Sequence, residues 1–241
     1  MPANRLTFEG RLFHSAWTPD GDSLMMASDS GLFTRPADGS GQAVPTVTDE
    51  RGVVAPSRSP DGQWLVYRTN INLAGKGDIL AIRPGQDSVP LELVATPSME
   101  LSPAISPDGR LLAYSSDETG RNEVYVVTFP DSRGGKWAVS TSGGHTPVWS
   151  HSGRELFYVD AQRAMVAVQV TTTPTFSIGA SEKLFTNQGY ALGALHPMYA
   201  VAPDDERFLM IRAVESQRAD DEPRLILVQN FVEELEQRVE R

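Results

Sequence analysis

The chain has 241 residues, 40% of them hydrophobic, with no cysteine and a formal charge of −10 at neutral pH. That length suits one ring of repeats or two ordinary domains, and the missing thiols exclude a disulfide framework and thiol chemistry. The acidic balance speaks against a general nucleic-acid surface, where a basic patch is expected, and serves solubility.

No apolar run of 18 residues is present to span a bilayer, so membrane insertion is not expected. The opening Met1-Pro2-Ala3-Asn4-Arg5 lacks the apolar stretch of a signal peptide. As written, the chain is expected in the cytoplasm. It is expected outside it if the sequence is a piece of a longer membrane-anchored protein.

The first predicted element is a short strand, Arg5-Leu6-Thr7-Phe8. A phrase that recurs through the chain then begins. It reads Trp17-Thr18-Pro19-Asp20-Gly21, then Ser59-Pro60-Asp61-Gly62, then Ser106-Pro107-Asp108-Gly109. It returns in altered form as Ser150-His151-Ser152-Gly153 and Ala202-Pro203-Asp204-Asp205. Measured at the proline position, the intervals are 41, 47, 44 and 52 residues, in or near the range of propeller blades. Proline presets its own φ, aspartate bonds a following amide, and glycine takes the positive φ that closes a reversal. Each phrase therefore joins two antiparallel strands.

A strand precedes the phrase, as at Leu101 to Ser106 and His145 to Ser150, and three follow it. The second strands are Ser23 to Ala27, Trp64 to Tyr67, Leu111 to Tyr114, Leu156 to Val159 and Phe208 to Ile211. The third are Gly31 to Thr34, Asp78 to Ile82, Glu123 to Val127 and Met165 to Val168. The fourth are Val44 to Thr48, Leu91 to Ala95, Trp137 to Ser140 and Lys183 to Thr186. Four antiparallel strands per unit make a propeller blade. The expected fold is all-β, a β-propeller of four-stranded antiparallel blades.

The last unit offers strands near Met198 to Val201, Phe208 to Ile211 and Arg224 to Gln229, but no fourth. Arg5 to Phe8 reads like the fourth strands elsewhere. Its donation would close a five-bladed ring over residues 1–230 and hide two sheet edges. A larger propeller, with neighbours upstream, is the other reading. Glu215 to Glu222 reads as an exposed acidic loop. Residues 231–241 read as a short helix or tail, with Phe231, Leu235 and Val239 four apart.

The segment Leu101-Ser102-Pro103-Ala104-Ile105-Ser106-Pro107-Asp108-Gly109-Arg110, running into Leu111-Leu112-Ala113-Tyr114, resembles the TolB-type, WD40-like (PD40) propeller repeat. Gly120 to Val126, Gly134 to Trp137 and Pro147 to Tyr158 extend the likeness, as do Arg207 to Met210 and Asn230 to Leu235. The chain is similar to propellers that follow bacterial serine/threonine protein kinase domains. No glycine-rich nucleotide loop, His-Arg-Asp or Asp-Phe-Gly is present. The resemblance implies a sensory or protein-binding module and carries over no ligand residues.

Other chemistry is sparse. Asp20, Asp61 and Asp108 fall in separate blades, where their turn role suffices. His14, His145 and His196 precede or enter inner strands and approach one channel mouth, where imidazoles could hold a metal or an anion. They sit five, six and seven positions before the proline position of their turns, so they do not share a register. His151 replaces a turn proline. There is no Gly-x-Ser-x-Gly, and Glu118, Glu123 and Asp160 are acids that nothing pairs. Trp17 and Trp149, and Tyr67, Tyr114 and Tyr158, repeat at the blade period and are expected between blades. Trp64, Trp137 and the arginines Arg58, Arg68, Arg83, Arg110 and Arg121 are candidate rim contacts. The expectation is a monomeric, non-catalytic scaffold with no cofactor and a protein partner at its loop face or funnel. A small-molecule or metal site at the mouth is the second reading, and a propeller hydrolase or lyase the third.

Overall fold

The structure, a computed structural model, describes residues 12–18, 20–28, 31–71 and 75–212. The recurring turn organises it. In the first four turns the opening hydroxyl accepts the amide five residues on: Ser23 N to Thr18 Oγ1 (3.1 Å), Trp64 N to Ser59 Oγ (2.9 Å), Leu111 N to Ser106 Oγ (3.0 Å) and Glu155 N to Ser150 Oγ (3.0 Å). In the first three turns the aspartate accepts that hydroxyl's proton and the amide two residues on. Gly21, Gly62, Gly109 and Gly153 close the reversals at φ between 69° and 75°.

Four complete sheets follow. The first holds β1 (Leu12–Trp17), β2 (Ser23–Ser28), β3 (Gly31–Pro36) and β4 (Val44–Val47). The second holds β5 (Val54–Arg58), β6 (Leu65–Arg68), β7 (Ile79–Ile82) and β8 (Leu91–Val94). The third holds β9 (Glu100–Ile105), β10 (Leu111–Ser116), β11 (Glu123–Thr128) and β12 (Lys136–Ala138). The fourth holds β13 (Gly144–Trp149), β14 (Glu155–Asp160), β15 (Ala164–Thr171) and β16 (Ser177–Thr186). A two-stranded sheet, β17 (Tyr199–Val201) and β18 (Phe208–Met210), begins the fifth unit. Every pairing between these strands is antiparallel and follows chain order.

β16 is longer than the segment expected at Lys183 to Thr186. It starts at Ser177 because β15 runs to Thr171 and keeps a partner through two register shifts. The proposed strands at 5–8 and 224–229, the acidic loop at 215–222 and the helix at 231–241 lie outside the described residues.

The core sits between blades, not within them. Strand alternation sends one set of side chains to the preceding blade and the other to the following blade. Tyr67, Leu80 and Ile82 face back onto Met25, Ala27 and Leu32 of the first blade. Val66, Ile79 and Ala81 face forward onto Leu112, Tyr114 and Tyr125. Ala113, Val124 and Val126 meet Leu156, Tyr158 and Val168, and Phe157, Val159 and Met165 meet Tyr199 and Val201. A side chain in these seams is worth about 1.5–3 kcal/mol over its exposed state.

The inner strands β1, β5, β9 and β13 pack side by side and line the channel. Three of them break register at a residue with positive φ before a proline: Ala55, Ser102 and Thr146, at 50°, 53° and 52°. Such bulges re-aim a side chain. His14 holds the equivalent place in β1, beside that strand's own register shift. Trp149 is buried against the third blade, its indole Nε1 donating to Ala104 O at 2.9 Å. Its counterpart Trp17, expected between blades, is 60% exposed.

Candidate functional site

Antiparallel topology gives the ring two ends. The recurring turns lie at one; the connections between blades, and the starts of the inner strands, lie at the other. The second end carries the candidate site. The interval before the last turn is the longest, at 52 residues, and its excess forms an irregular strap over residues 187–198.

The strap is rooted on the fourth and fifth units. Asn187 N donates to Arg163 O (2.8 Å), Arg163 Nη2 to Tyr190 O (3.3 Å), and Ala191 N to Ile211 O (2.8 Å). Leu192 packs against the apolar cluster between those units. Farther on, Ser102 Oγ of β9 donates to Ala194 O at 3.3 Å. The His196 ring then meets the His14 ring of β1, with centres 5.8 Å apart and planes at 72°. A segment held by β9 on one side and β1 on the other crosses the channel mouth. Leu195, at its crest, is 42% exposed.

Of the three histidines expected at a mouth, the structure brings two together. His14 and His196 are half-buried. Burial, with His196 second, holds the His14 imidazole below its usual pKa. His145 stands apart, its Nδ1 3.1 Å from Thr146 Oγ1. Burial lowers its pKa, Arg163 lowers it further, and Asp160 opposes both. His151 lies in the fourth turn at the opposite end. That turn has serine where the others have aspartate, and the fifth turn fills the gap: Asp205 accepts His151 N (2.6 Å) and Ser152 N (2.9 Å) and lies 3.2 Å from His151 Nδ1. Asp205 holds the glycine position of its own turn, at φ 62°.

The acids are engaged separately. Glu123 is buried and accepts Arg121 Nε (2.6 Å), Gly143 N (3.0 Å) and the Ser140 hydroxyl, tying β11 to the start of the fourth blade. These bonds outweigh its burial and hold its pKa low. Asp160 accepts Gln162 N (2.9 Å) and Ala164 N (2.8 Å) and pairs with Lys183 at 2.6 Å. Glu118 pairs with Lys136 at 2.6 Å. Among the described residues, no three of His, Asp or Glu converge on one point.

The tyrosines Tyr67, Tyr114 and Tyr158 are buried between blades, as their period implies. The five arginines have separate settings, with Arg110 and Arg121 exposed. Arg68 is buried, donating from Nη1 to Thr69 O (2.7 Å). Arg58 donates to Gly62 O (3.0 Å), Arg121 is bound to Glu123, and Arg110 offers its backbone amide to Asp108 (3.1 Å). Arg83 pairs with Asp87 and lies over Trp64, 5.1 Å from the ring centre. Trp64 also meets Phe129, and Trp137 meets Phe176.

Sequence reasoning missed Glu100. It begins β9 fully buried; the Thr96 hydroxyl bonds Oε1, and Oε2 has no partner among the described residues. Burial raises its pKa to about 7 against the Thr96 bond, and Asp78 and Glu118 add to the rise. The one available signal was an acid in an inner strand where the second and fourth units have valine and glycine. A polar cleft of about 770 Å³ lies at the turn end of the fourth blade, lined by Arg154, Glu155, Gln169 and Thr171 to Thr173.

No family model matches the chain, and no curated protein matches it in sequence. Solved structures do match its shape. A putative TolB from Agrobacterium tumefaciens superposes at a TM-score of 0.62, with 20% identity, over 89% of this chain and 73% of that one. TolB from Acinetobacter baumannii gives 0.54 at 14% identity, over 85% of this chain and 55% of its own. A puromycin-hydrolyzing peptidase from Mycobacterium tuberculosis gives 0.55 at 14% identity, over 87% of this chain and 39% of its own. The chain thus spans about half or less of the last two. At these identities the likeness concerns fold alone. The chain is an all-β protein with a TolB-like β-propeller fold of four-stranded antiparallel blades.

Proposed function

We propose that this chain is a non-catalytic propeller module that binds a protein partner at the strapped mouth of its channel. The observation that carries the reading is the state of the candidate chemical groups. Glu118, Glu123, Asp160, His145 and His151 are each committed to separate structural partners. The strapped end instead presents loops of several blades on a rigid frame, the arrangement by which repeat scaffolds bind partners. Leu195 offers an exposed apolar contact at its centre. The resemblance to propellers that follow kinase domains supports a docking or sensory role beside a signalling enzyme. The proposed ring has five blades, with Arg5 to Phe8 completing the last.

The test is affinity capture with the intact chain, followed by cross-linking to map the contact. The expected footprint spans the strap and connections from at least two blades. Leu195→Asp is expected to weaken capture about tenfold, the cost of roughly one lost anchor, with an unchanged melting temperature. A footprint confined to the outer strands, or capture indifferent to Leu195→Asp, would overturn the proposal.

A further inference from the structure

His14 and His196 are 182 positions apart in sequence, yet their rings meet at the mouth in an edge-type contact, with planes at 72°. Both are half-buried, and among the described residues no hydrogen bond engages either ring. Partly buried imidazoles normally find a donor or acceptor. A neutral imidazole carries one free lone pair. Neutral imidazoles are the ligands that late first-row divalent metals prefer. A zinc ion about 2.0–2.1 Å from one nitrogen of each ring leaves the ring centres roughly 5–6 Å apart at a near-tetrahedral angle. The observed 5.8 Å falls within that range.

We propose that His14 and His196 form a two-imidazole site for a late first-row divalent metal ion, which fastens the strap to the first blade. Water fills the remaining coordination positions, since no third His, Asp or Glu converges there among the described residues. The site joins a strap rooted on the fourth and fifth units to the inner strand of the first. Metal occupancy therefore ties the ends of the ring together across the channel. The proposal stands independently of the protein-partner reading.

The test is titration of the intact, chelator-treated chain with Zn²⁺ at pH 7.5, read by calorimetry, with hydrogen exchange of residues 187–198 followed in parallel. One equivalent is expected to bind, and exchange in the strap to slow. His14→Ala and His196→Ala are each expected to weaken binding about tenfold or more, because a single imidazole is a poor site. His151→Ala, at the opposite end, is expected to change nothing. His196 lies in the strap, outside every strand, so its variant decides the matter if His14→Ala fails to fold. Absence of saturable binding, binding that survives His196→Ala, or equal loss in His151→Ala overturns the proposal.

Discussion

Glu100 holds a carboxylate between the second and third blades, with one oxygen unpartnered among the described residues. Its folded pKa, about 7, lies above the ordinary value of 4.5. Between those pH values the folded state binds more protons than the unfolded chain, so this group's contribution falls as pH rises through 7. The penalty is complete above pH 7 and absent below about 4.5. Glu100→Gln is expected to stabilise the protein at pH 8 by up to roughly 3 kcal/mol and to change little at pH 4.5. Urea unfolding of both proteins at the two pH values checks this, and an equal shift at both would refute it. Neither this residue nor the partner of His151 was legible in the sequence. A proline-aspartate-glycine turn announces itself because all its bonds are local. Asp205 bonds across a blade boundary, and Glu100 owes its state to neighbours in three different connections between strands.

At the scale of the strand, the seams decide stability. Trp149 fills the seam between the third and fourth blades and is 6% exposed, with its indole N–H satisfied. Trp149→Ala is expected to cost about 3–5 kcal/mol, the range for large aromatic truncations in cores. Trp17→Ala, at the repeat-equivalent place, is expected to cost under about 1 kcal/mol. Thermal or urea unfolding of the pair measures the difference, and a large cost at Trp17 would show that this face is covered in solution. The strand order and most strand limits follow from the repeat, since short apolar runs such as Leu111 to Tyr114 and Val124 to Val127 recur at fixed places after each turn. The length of β16 does not follow. Its added residues, Ser177 to Glu182, are exposed and, Ile178 apart, polar or small, and they form a strand only because β15 stays beside them. The strap was equally hidden: its irregular backbone has no period to read, and only the long interval marked where it had to be.

At the scale of the molecule, the fifth unit exposes apolar side chains that other units bury. Leu209 and Ile211 point away from the fourth blade and are 73% and 51% exposed. Their counterparts, Val66 and Ala113 among them, are fully buried by the next blade. In the proposed closure, residues 5–8 complete this unit and the first blade lies beyond it. Deleting residues 1–9 is then expected to lower the melting temperature by several degrees, at about 4 °C or less per kcal/mol lost, and to promote association through the bared edge. Calorimetry and light scattering provide the readouts. Unchanged stability in a monodisperse monomer would defeat the five-bladed closure.

The carboxylate of Asp205 gives the ring an uneven grammar. Three turns complete themselves, while the fourth is completed by its successor. The first three units are interchangeable words in this respect, but the fourth and fifth form a single phrase. Swapping, duplicating or deleting either one alone leaves a reversal without its acceptor or an acceptor without its reversal. Recombination among such propellers should therefore tolerate a break before residue 144 far better than one between residues 153 and 205.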